Sequence, residues 1–369
     1  MNPLQQLRDL GQSIWLDYIR RDLITSGELA RMVEEDGITG ITSNPTIFVH
    51  ALAGGELYDE SIRKPLSTSP QLNSGTLFER IEVEDLQMAA DVLRPVYDRT
   101  GGMDGFVSIE VSPFLAYDTE ETIAEARRLW SEVDRQNLMV KVPATAEGFP
   151  AIEALTAEGI NVNITLMFSV AQYTKVAHAY FHGIERNVQP EKVTSVASFF
   201  VSRVDTAVDR ALEEIGTEEA LALRGKAAIA NAILAYRAFR MIFSGDEFQK
   251  LQSRGVHLQK PLWASTGTKN KGYSDVKYVE SLIGPDTINS VPPETLNAFR
   301  EHGRARITLG QNDEEAEEVQ GRLLALEINL RSIGQELTDQ GVDKFKGSYD
   351  ELIAALDKKR TFLTQTRAA

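Results

Sequence analysis

The sequence predicts a single (β/α)8 barrel with additional C-terminal helices. Short apolar runs alternate with longer helical patterns, which is the βαβα order of a parallel sheet or barrel. A length of 369 residues suits one barrel domain of this class. Eight runs have strand character, the number that a closed barrel needs. In chain order they are Ser13–Tyr18, Gly37–Thr42, Gly105–Val111, Leu138–Val142, Asn161–Thr165, Val193–Phe200, Pro261–Ser265 and Thr287–Ser290.

Helical patterns fill most of the segments between these strands. Asp118–Trp130 begins with capping and acidic residues and then carries apolar residues at helical spacing. Ser202–Ile215 and Thr217–Phe243 predict a long helical pair between the sixth and seventh strands. Asp59–Gly75 contains two prolines and many hydroxyl side chains, so we predict an excursion over the surface there.

The pattern is helical after Pro292-Pro293 almost to the last residue. The acidic run Asp313–Glu318 suits a helix start, because it complements the helix dipole there. Apolar residues then recur at helical spacing, so this helix is expected to pack on the body; they are Leu323, Leu326, Leu330 and Ile333. We expect one domain over residues 1–369, with residues 300–369 as a helical extension packed on the barrel.

The formal net charge is −15, which argues against a nucleic-acid or anionic-membrane surface as a partner. An anionic substrate would therefore need a local basic pocket. The chain has no cysteine, which excludes disulfides, thiolate catalysis and thiolate metal sites. No run approaches the length of a membrane span and no signal-peptide pattern is present, so we expect a cytoplasmic protein. Monomer and homodimer both stay open.

Lys141 lies inside the otherwise apolar strand Asn137–Pro143. Removing an ammonium from water without a partner is costly, and the usual relief is a lowered pKa. A neutral amine condenses with ketones and aldehydes to form a Schiff base. The alternative is a lysine that reaches the strand end or forms an ion pair there, and this stretch alone does not separate the two.

Polar and apolar side chains alternate along several strands. Ser108 and Glu110 share one face of the third strand, and Asn163 and Thr165 share one face of the fifth. Both faces would be apolar in an open sheet covered by helices on both sides. A barrel explains the alternation, because polar residues then point to the mouth, where barrel enzymes keep their sites. The side chains that would converge there are Asp17, Glu110, Lys141, Asn163 and Thr165.

Two carboxylates beside a neutral amine suit reversible carbon–carbon cleavage through an imine. The motifs resemble, in order, those of the transaldolase family of class I, Schiff-base-forming barrels. Ile41–Thr46 is similar to the family's TxNP signature, Leu138–Pro143 to its Schiff-base strand, and Asn161–Ser169 to the strand and turn that follow. The matches run from about Asp17 to about Asn289, which is most of the chain.

The resemblance implies a role for each site residue. Lys141 would attack the carbonyl of a ketose phosphate, Glu110 would act through a bound water as acid and base, and Asp17 would take the C4 hydroxyl proton. The dihydroxyacetone unit would pass from sedoheptulose 7-phosphate or fructose 6-phosphate to glyceraldehyde 3-phosphate or erythrose 4-phosphate, as in the pentose phosphate pathway, without metal or organic cofactor. The substrate-binding residues would be Asn44, Thr42, Asn163, Thr165, Ser198, Arg203, Ser265 and Lys269.

The resemblance also implies a phosphate site. Val196–Asp205 is similar to the family's sixth strand and places Arg203 in the first turn of a helix, where a guanidinium suits a dianion. The better-known branch carries an arginine two residues after the serine that matches Ser265. Gly267 occupies that position here, so Lys269 is expected to substitute.

Other interpretations stay open at this point. Glu110 and Lys141 would also make a purely structural ion pair, and Arg203 would pair with Asp205. A Schiff-base aldolase of the same superfamily is a second function, and a catalytically silent sugar-phosphate-binding protein is a third. The aldolase branch tends to be shorter and to lack the glutamate seen here, and the intact set of Lys141, Glu110 and Asp17 argues against a silent protein.

Overall fold

Eight parallel strands close into a barrel in chain order, with β1 beside β2 and β8. In the computed structural model of the chain, residues 2–44, 46–49 and 55–365 are described. The strands are β1 (Gln12–Asp17), β2 (Ile38–Thr42), β3 (Phe106–Glu110), β4 (Leu138–Pro143), β5 (Val162–Met167), β6 (Ser195–Phe200), β7 (Lys260–Ala264) and β8 (Thr287–Val291). Each coincides with one predicted strand, so the predicted (β/α)8 barrel is confirmed.

Helices follow the strands and surround the barrel. They are α1 (Pro3–Asp9), α2 (Arg21–Thr25), α3 (Glu28–Arg31), α4 (Asp59–Thr68), α5 (Ser74–Arg99), α6 (Thr119–Val133), α7 (Gly148–Ala157), α8 (Val170–Glu185), α9 (Ser202–Ile215), α10 (Glu218–Leu221), α11 (Ala227–Phe243), α12 (Asp246–Gln252), α13 (Lys277–Ser281), α14 (Pro293–His302), α15 (Asp313–Ala325) and α16 (Leu330–Gln365). Short 3-10 turns lie at Pro113–Leu115 and Pro190–Lys192, and a π-helical turn lies at Met32–Asp36. Within the described ranges, no helix has the length and apolar character to cross a membrane.

The lower part of the barrel interior is filled by apolar side chains from six strands, namely Trp15, Phe106, Met139, Val196, Leu262 and Ile288. Gly40 makes room for this layer, since a Cβ there would lie 2.4 Å from the Trp15 ring. Toward the carboxyl ends of the strands the inward side chains become polar, as at the fully buried Ser108 and Asn163. The apolar layer is therefore the floor on which the polar mouth of the barrel rests.

The segment predicted as a surface excursion, residues 59–75, is mostly exposed or half-buried and contains helix α4, which the prediction did not include. Pro65 lies inside the helix and removes one backbone hydrogen bond, at a cost of about 3 kcal/mol. Ile62 and Leu66 lie on the face that packs on the body and are buried. Burial of two such side chains contributes roughly 1.5–3 kcal/mol each, which offsets the proline.

The helix predicted over Thr217–Phe243 is divided into α10 and α11. Gly225 lies in the break with a φ of 71°, in the left-handed region that favours glycine. Its N–H donates to the Asp209 carboxylate at 2.7 Å, and its carbonyl accepts from Lys277 at 2.6 Å. Side chains from two other elements therefore hold the turn, which periodicity alone does not reveal.

The helical pattern after Pro292 is three helices, α14, α15 and α16, and α16 crosses the carboxyl end of β5. Gly334 and Gly341 lie on the face that makes this contact, where a Cβ would come within 3.0 Å of Ser169 and 2.8 Å of Leu166. Between them, the Thr338 hydroxyl donates to the Leu166 carbonyl at 3.1 Å. This close approach brings the middle of α16 to the barrel mouth.

Candidate active site

Lys141 lies on β4 with its side chain only 7% exposed. Parallel register places it beside Glu110 on β3 and Asn163 on β5. Its Nζ donates to the Ser43 carbonyl at 3.0 Å and lies 3.6 Å from Glu110 Oε1. A carbonyl and a carboxylate are the partners that a nitrogen in a buried strand needs.

Glu110 faces Lys141 with one carboxylate oxygen, while Oε2 has no hydrogen-bond partner among the described residues. Burial raises the pKa of Glu110, and the neighbouring Lys141 opposes that rise. A carboxyl group of this kind can hold a proton nearer to neutral pH than a solvated one, which suits proton transfer in both directions.

Asp17 is the last residue of β1, and its carboxylate accepts a hydrogen bond from the Thr42 hydroxyl at 2.8 Å. Burial raises the pKa of Asp17; Lys141, the hydrogen bonds from Thr42 and Asn44, and Arg203 oppose the rise. Hydrogen bonds from two side chains fix the direction of the carboxylate. Asp17 lines the cavity at the barrel mouth, where an ionised carboxylate is able to act as a base.

A polar layer lies between the two acids and the apolar floor. The Ser198 hydroxyl donates to Asn163 Oδ1 at 2.6 Å, and Asn163 Nδ2 donates to Ser108 Oγ at 3.1 Å. These bonds fix the orientation of the Asn163 amide. Thr165 is 1% exposed, and its hydroxyl has no partner among the described residues. An unpaired buried hydroxyl next to a cavity is available to a ligand or a water molecule.

A cavity of about 410 Å³ opens at the carboxyl ends of the strands. Eight of the eleven predicted site residues line it: Asp17, Thr42, Asn44, Lys141, Thr165, Ser198, Arg203 and Ser265. Three do not. Glu110 and Asn163 are in contact with lining residues from behind, and Lys269 lines a neighbouring cavity of about 660 Å³. Pro45, which belongs to the TxNP motif, lies outside the described residues.

One end of the cavity is cationic. Arg203 lies in the first turn of α9 with its guanidinium 5.4 Å from the centre of the Phe200 ring. Lys344 from α16 lines both this cavity and the neighbouring one, which it shares with Arg203 and Lys269. Desolvation by the surrounding protein atoms, with repulsion from Arg203 and Lys344, lowers the pKa of Lys269 to about 8. Three cations repelling one another are typical of a site that an anion completes.

Lys344, like Arg20 and Ser290, is one of the cavity residues that the sequence prediction missed. It belongs to an exposed helical segment rich in charged residues, and nothing in its spacing separates it from solvated lysines. The contact of α16 with β5, made at Gly341, is what carries Lys344 to the mouth. A signal for that crossing is the pair Gly334 and Gly341, seven residues apart on one helical face.

The alternative pairing of Arg203 with Asp205 is absent. The Asp205 carboxylate instead accepts from the Tyr278 hydroxyl at 2.8 Å and from Lys277 at 3.3 Å. Arg203 makes no carboxylate salt bridge with any described residue, so its charge is free to act in the cavity.

Gly267 stands where the better-known branch carries an arginine, and a Cβ at this position would lie 3.2 Å from Pro292. Across the described ranges, no group of three metal-ligating side chains occurs.

Comparisons with known proteins identify the family of the chain. A family model described as "Transaldolase/Fructose-6-phosphate aldolase" matches residues 14–356. A protein named "Transaldolase" from Thiobacillus denitrificans is 46% identical over 360 residues, covering 96% of this chain and 100% of that protein. Proteins of the same name from Thermobifida fusca and Mycolicibacterium smegmatis are 47% and 44% identical, covering 95% and 96% of this chain and 96% of each relative. The chain belongs to the transaldolase/fructose-6-phosphate aldolase family.

Proposed function

We propose that the chain is a transaldolase, which moves a dihydroxyacetone unit from a ketose phosphate to an aldose phosphate through a Schiff base on Lys141. One observation carries the proposal: a buried amine 3.6 Å from one carboxylate opens to a cavity that a second carboxylate, Asp17, also lines. The curated relatives named transaldolase support transfer over simple cleavage.

Imine formation uses Lys141 and Glu110. The amine adds to the ketose carbonyl, and the resulting carbinolamine loses its hydroxyl as water when a proton is delivered to that oxygen. Glu110 supplies the proton and takes it back when the imine is hydrolysed, acting through a bound water because it lies behind the cavity wall. Burial raises the pKa of Glu110, which favours the protonated acid that this step uses.

Bond cleavage uses Asp17. Its carboxylate takes the proton from the C4 hydroxyl, the C3–C4 bond breaks, and the electron pair is delocalised into the iminium on Lys141. The aldose phosphate leaves, and the enamine that remains attacks the aldehyde of the acceptor. Asn44, Thr165 and the Ser198–Asn163 pair donate and accept hydrogen bonds around the three-carbon unit and shield it from stray protonation.

The phosphate binds at the cationic end of the cavity. Arg203 lies at a helix start and offers paired N–H donors, and Lys344 and Lys269 add charge from two other elements. Ser265 lines the same cavity, with its hydroxyl 3.0 Å from Ser202 and a φ of 55° that turns the loop after β7. This local charge counteracts the net charge of −15.

The test of the function uses borohydride reduction in the presence of fructose 6-phosphate. A transaldolase gains covalent mass on the peptide containing Lys141, and with erythrose 4-phosphate present it forms sedoheptulose 7-phosphate. An aldolase would gain the same mass but release free dihydroxyacetone, and a silent binding protein would gain none. Absence of the adduct at Lys141 would refute the proposal.

Glu110→Gln is expected to slow imine formation by about 100-fold, the usual range for a lost general acid. Phosphate contacts remain, so substrate affinity changes little. Rapid-quench borohydride trapping measures the single-turnover rate, with Glu120→Gln, an exposed change in the first turn of α6, as the matched control. An unaltered trapping rate in the Glu110 variant would count against its role.

Lys269→Met is expected to raise the KM about tenfold, corresponding to one charge-assisted hydrogen bond of about 1.5 kcal/mol, with little change in kcat. Lys269 is charged below its pKa of about 8 and neutral above it. The KM of the unaltered protein should therefore rise as the pH passes 8, and the variant should lack that part of the rise. Lys271→Met, two residues on and exposed, is the control. An unchanged KM would move the phosphate site away from Lys269.

We also propose that residues 1–369 act as one domain, that the chain works in the cytoplasm as a monomer or homodimer, and that sugar phosphates are its only partners in the reaction. The contacts of α16 with β5 and the contribution of Lys344 to the cavity support the first point. Light scattering of the purified protein distinguishes the two assembly states.

A further inference from the structure

Glu110 separates two cavities. A second, small cavity of about 40 Å³ lies at the carboxyl end of β3, where residues of α5, α6 and α16 also line it. Its polar lining consists of Glu79, Glu82, Glu110, Ser112, Glu125 and Tyr349. Glu110 belongs to this lining; its side chain is only 8% exposed, and its Oε2 has no hydrogen-bond partner among the described residues. A buried carboxylate oxygen without a protein partner, beside a small polar cavity, is a usual binding place for a buried water molecule.

Glu82 is unlike the other acids around this cavity. Glu79 and Glu125 both pair with Arg128, at 2.5 Å and 3.5 Å, and Glu125 also accepts from the Ser112 N–H at 2.7 Å. The carboxylate of Glu82 has no ion pair or hydrogen bond within the described part of the chain, although the residue is only 8% exposed. Its carboxyl group therefore has the small cavity as its polar surroundings.

Burial raises the pKa of Glu82 to about 8, and repulsion from Glu110 adds to the rise. The titratable and charged groups that face it are Glu79 and Asp85 from α5, Glu110 from β3, Lys141 from β4, Glu125 and Arg128 from α6, and Tyr349 from α16. Of these, only Lys141 and Arg128 are cations, and Arg128 is already engaged by three other carboxylates, those of Glu79, Glu125 and Glu132. At neutral pH Glu82 therefore carries a proton that it can give away.

We propose that a water molecule in the small cavity links Glu110 to Glu82, and that Glu82 is the proton reserve for Glu110 during imine formation and hydrolysis. The inference rests on the proposed Schiff-base chemistry. When Glu110 has protonated the departing hydroxyl, the water gives a proton to the Glu110 carboxylate and receives one from Glu82. The Glu82 carboxylate is then reprotonated from solvent through its exposed edge, so protons balance. In hydrolysis the same transfers run in reverse.

The arrangement matters because the substrate occupies the other side of Glu110. Once a sugar phosphate fills the cavity of about 410 Å³, exchange of protons with solvent through the mouth is blocked. The small cavity offers a route that the substrate does not obstruct. Glu82 does not contact the substrate. It acts through Glu110, by supplying the proton that Glu110 needs, and is therefore a positioning residue.

The test is Glu82→Gln in the full chain, with the rate of imine formation followed by rapid-quench borohydride trapping from pH 6 to 9.5. Below pH 8 the variant should be about tenfold slower than the unaltered protein, at unchanged KM. The two rates should converge above pH 9, because Glu82 has by then lost its proton in the unaltered protein too. A ratio that is independent of pH, or equal to one throughout, would overturn the proposal.

Two further variants separate this role from a structural one. Glu79→Gln changes the same helix face and the same cavity but removes an acid already paired with Arg128, so its rate ratio should stay near one at every pH. Glu82→Asp keeps a titratable group and should restore most of the rate. If Glu82→Asp is as slow as Glu82→Gln, the proton has no part in the effect and the proposal fails.

Thermal unfolding provides an independent readout. The pKa of Glu82 in the folded chain, about 8, lies above its ordinary value of 4.5. As the pH rises from 4.5 to 8, the unfolded chain has lost the Glu82 proton while the folded chain still holds it, so the stability of the unaltered protein falls across this range. Glutamine escapes this loss, so the Tm advantage of Glu82→Gln should grow across that window. A constant Tm difference would show that Glu82 is not a buried acid. Borohydride labelling of Lys141 in the unaltered protein separates the two proposals. If Lys141 is labelled, a negative result with the Glu82 variants refutes the role of Glu82 and leaves the proposed function standing.

Discussion

Replacing Lys141 with methionine should reduce turnover by at least about 10⁴-fold, because the amine that forms the imine is removed. Methionine has a similar length and is apolar, so the inner wall of the barrel stays filled. Glu110 loses the cation that opposes its burial, so its pKa rises further and the carboxyl group takes up a proton rather than remaining as an unpaired charge. The fold should therefore persist, as circular dichroism will show.

The mass of the protein after borohydride reduction with fructose 6-phosphate is the decisive measurement for this variant. The unaltered protein should gain one reduced sugar phosphate adduct, and Lys141→Met should gain none. Lys269→Met is the matched control, since it removes a different amine near the same substrate and should still be labelled at Lys141. Labelling of the Lys141 variant at another lysine, with turnover retained, would contradict the mechanism.

Asp17→Asn should lower turnover by about 10³-fold while leaving imine formation in place. The amide oxygen still accepts the hydrogen bond that Thr42 donates at 2.8 Å, so the side chain keeps its orientation, but an amide cannot remove the C4 hydroxyl proton. The variant should accumulate the Schiff base of the intact ketose, which borohydride traps as a six-carbon adduct rather than the three-carbon adduct. Mass spectrometry of the Lys141 peptide distinguishes the two.

The pH dependence gives a second view of Asp17. Its pKa is raised by burial, and the group must be ionised to act as a base. The rate of bond cleavage in the unaltered protein should therefore fall as the pH drops through this raised pKa, and Asp17→Asn should be insensitive in that range. Asp98→Asn, an exposed acid paired with Arg94, is the control and should behave as the unaltered protein. A three-carbon adduct formed at full rate by Asp17→Asn would assign the base elsewhere.

Much of the barrel was predictable because period-two alternation is a local property. Ser108 and Glu110 on β3, and Asn163 and Thr165 on β5, follow one another at spacing two, and the barrel turns that spacing into a shared inner face. The position of Lys141 between them follows from register alone. The grouping of the predicted residues was thus a consequence of strand order.

The features that escaped prediction depend on contacts between distant segments. Helix α4 forms despite Pro65 because Ile62 and Leu66 find apolar partners, and the break at Gly225 is held by Asp209 and Lys277. Lys344 becomes part of the site only through the packing of α16 on β5, and the pairing that leaves Glu82 as the unpaired acid depends on Arg128 from α6. In each case the contacting residues are far apart in the sequence, so the local sequence pattern does not reveal the contact.

The crossing of α16 over β5 has a consequence for the order in which the site is made. Every strand of the barrel precedes this helix in the chain, so Lys344 emerges from the ribosome several seconds after β8 at usual rates of translation. During that interval a closed barrel would already carry its nucleophile and both acids, yet lack one of the cations that hold a substrate. The residues proposed to carry out the reaction are thus synthesised first, and the last of the cations proposed to bind the sugar phosphate is synthesised after them.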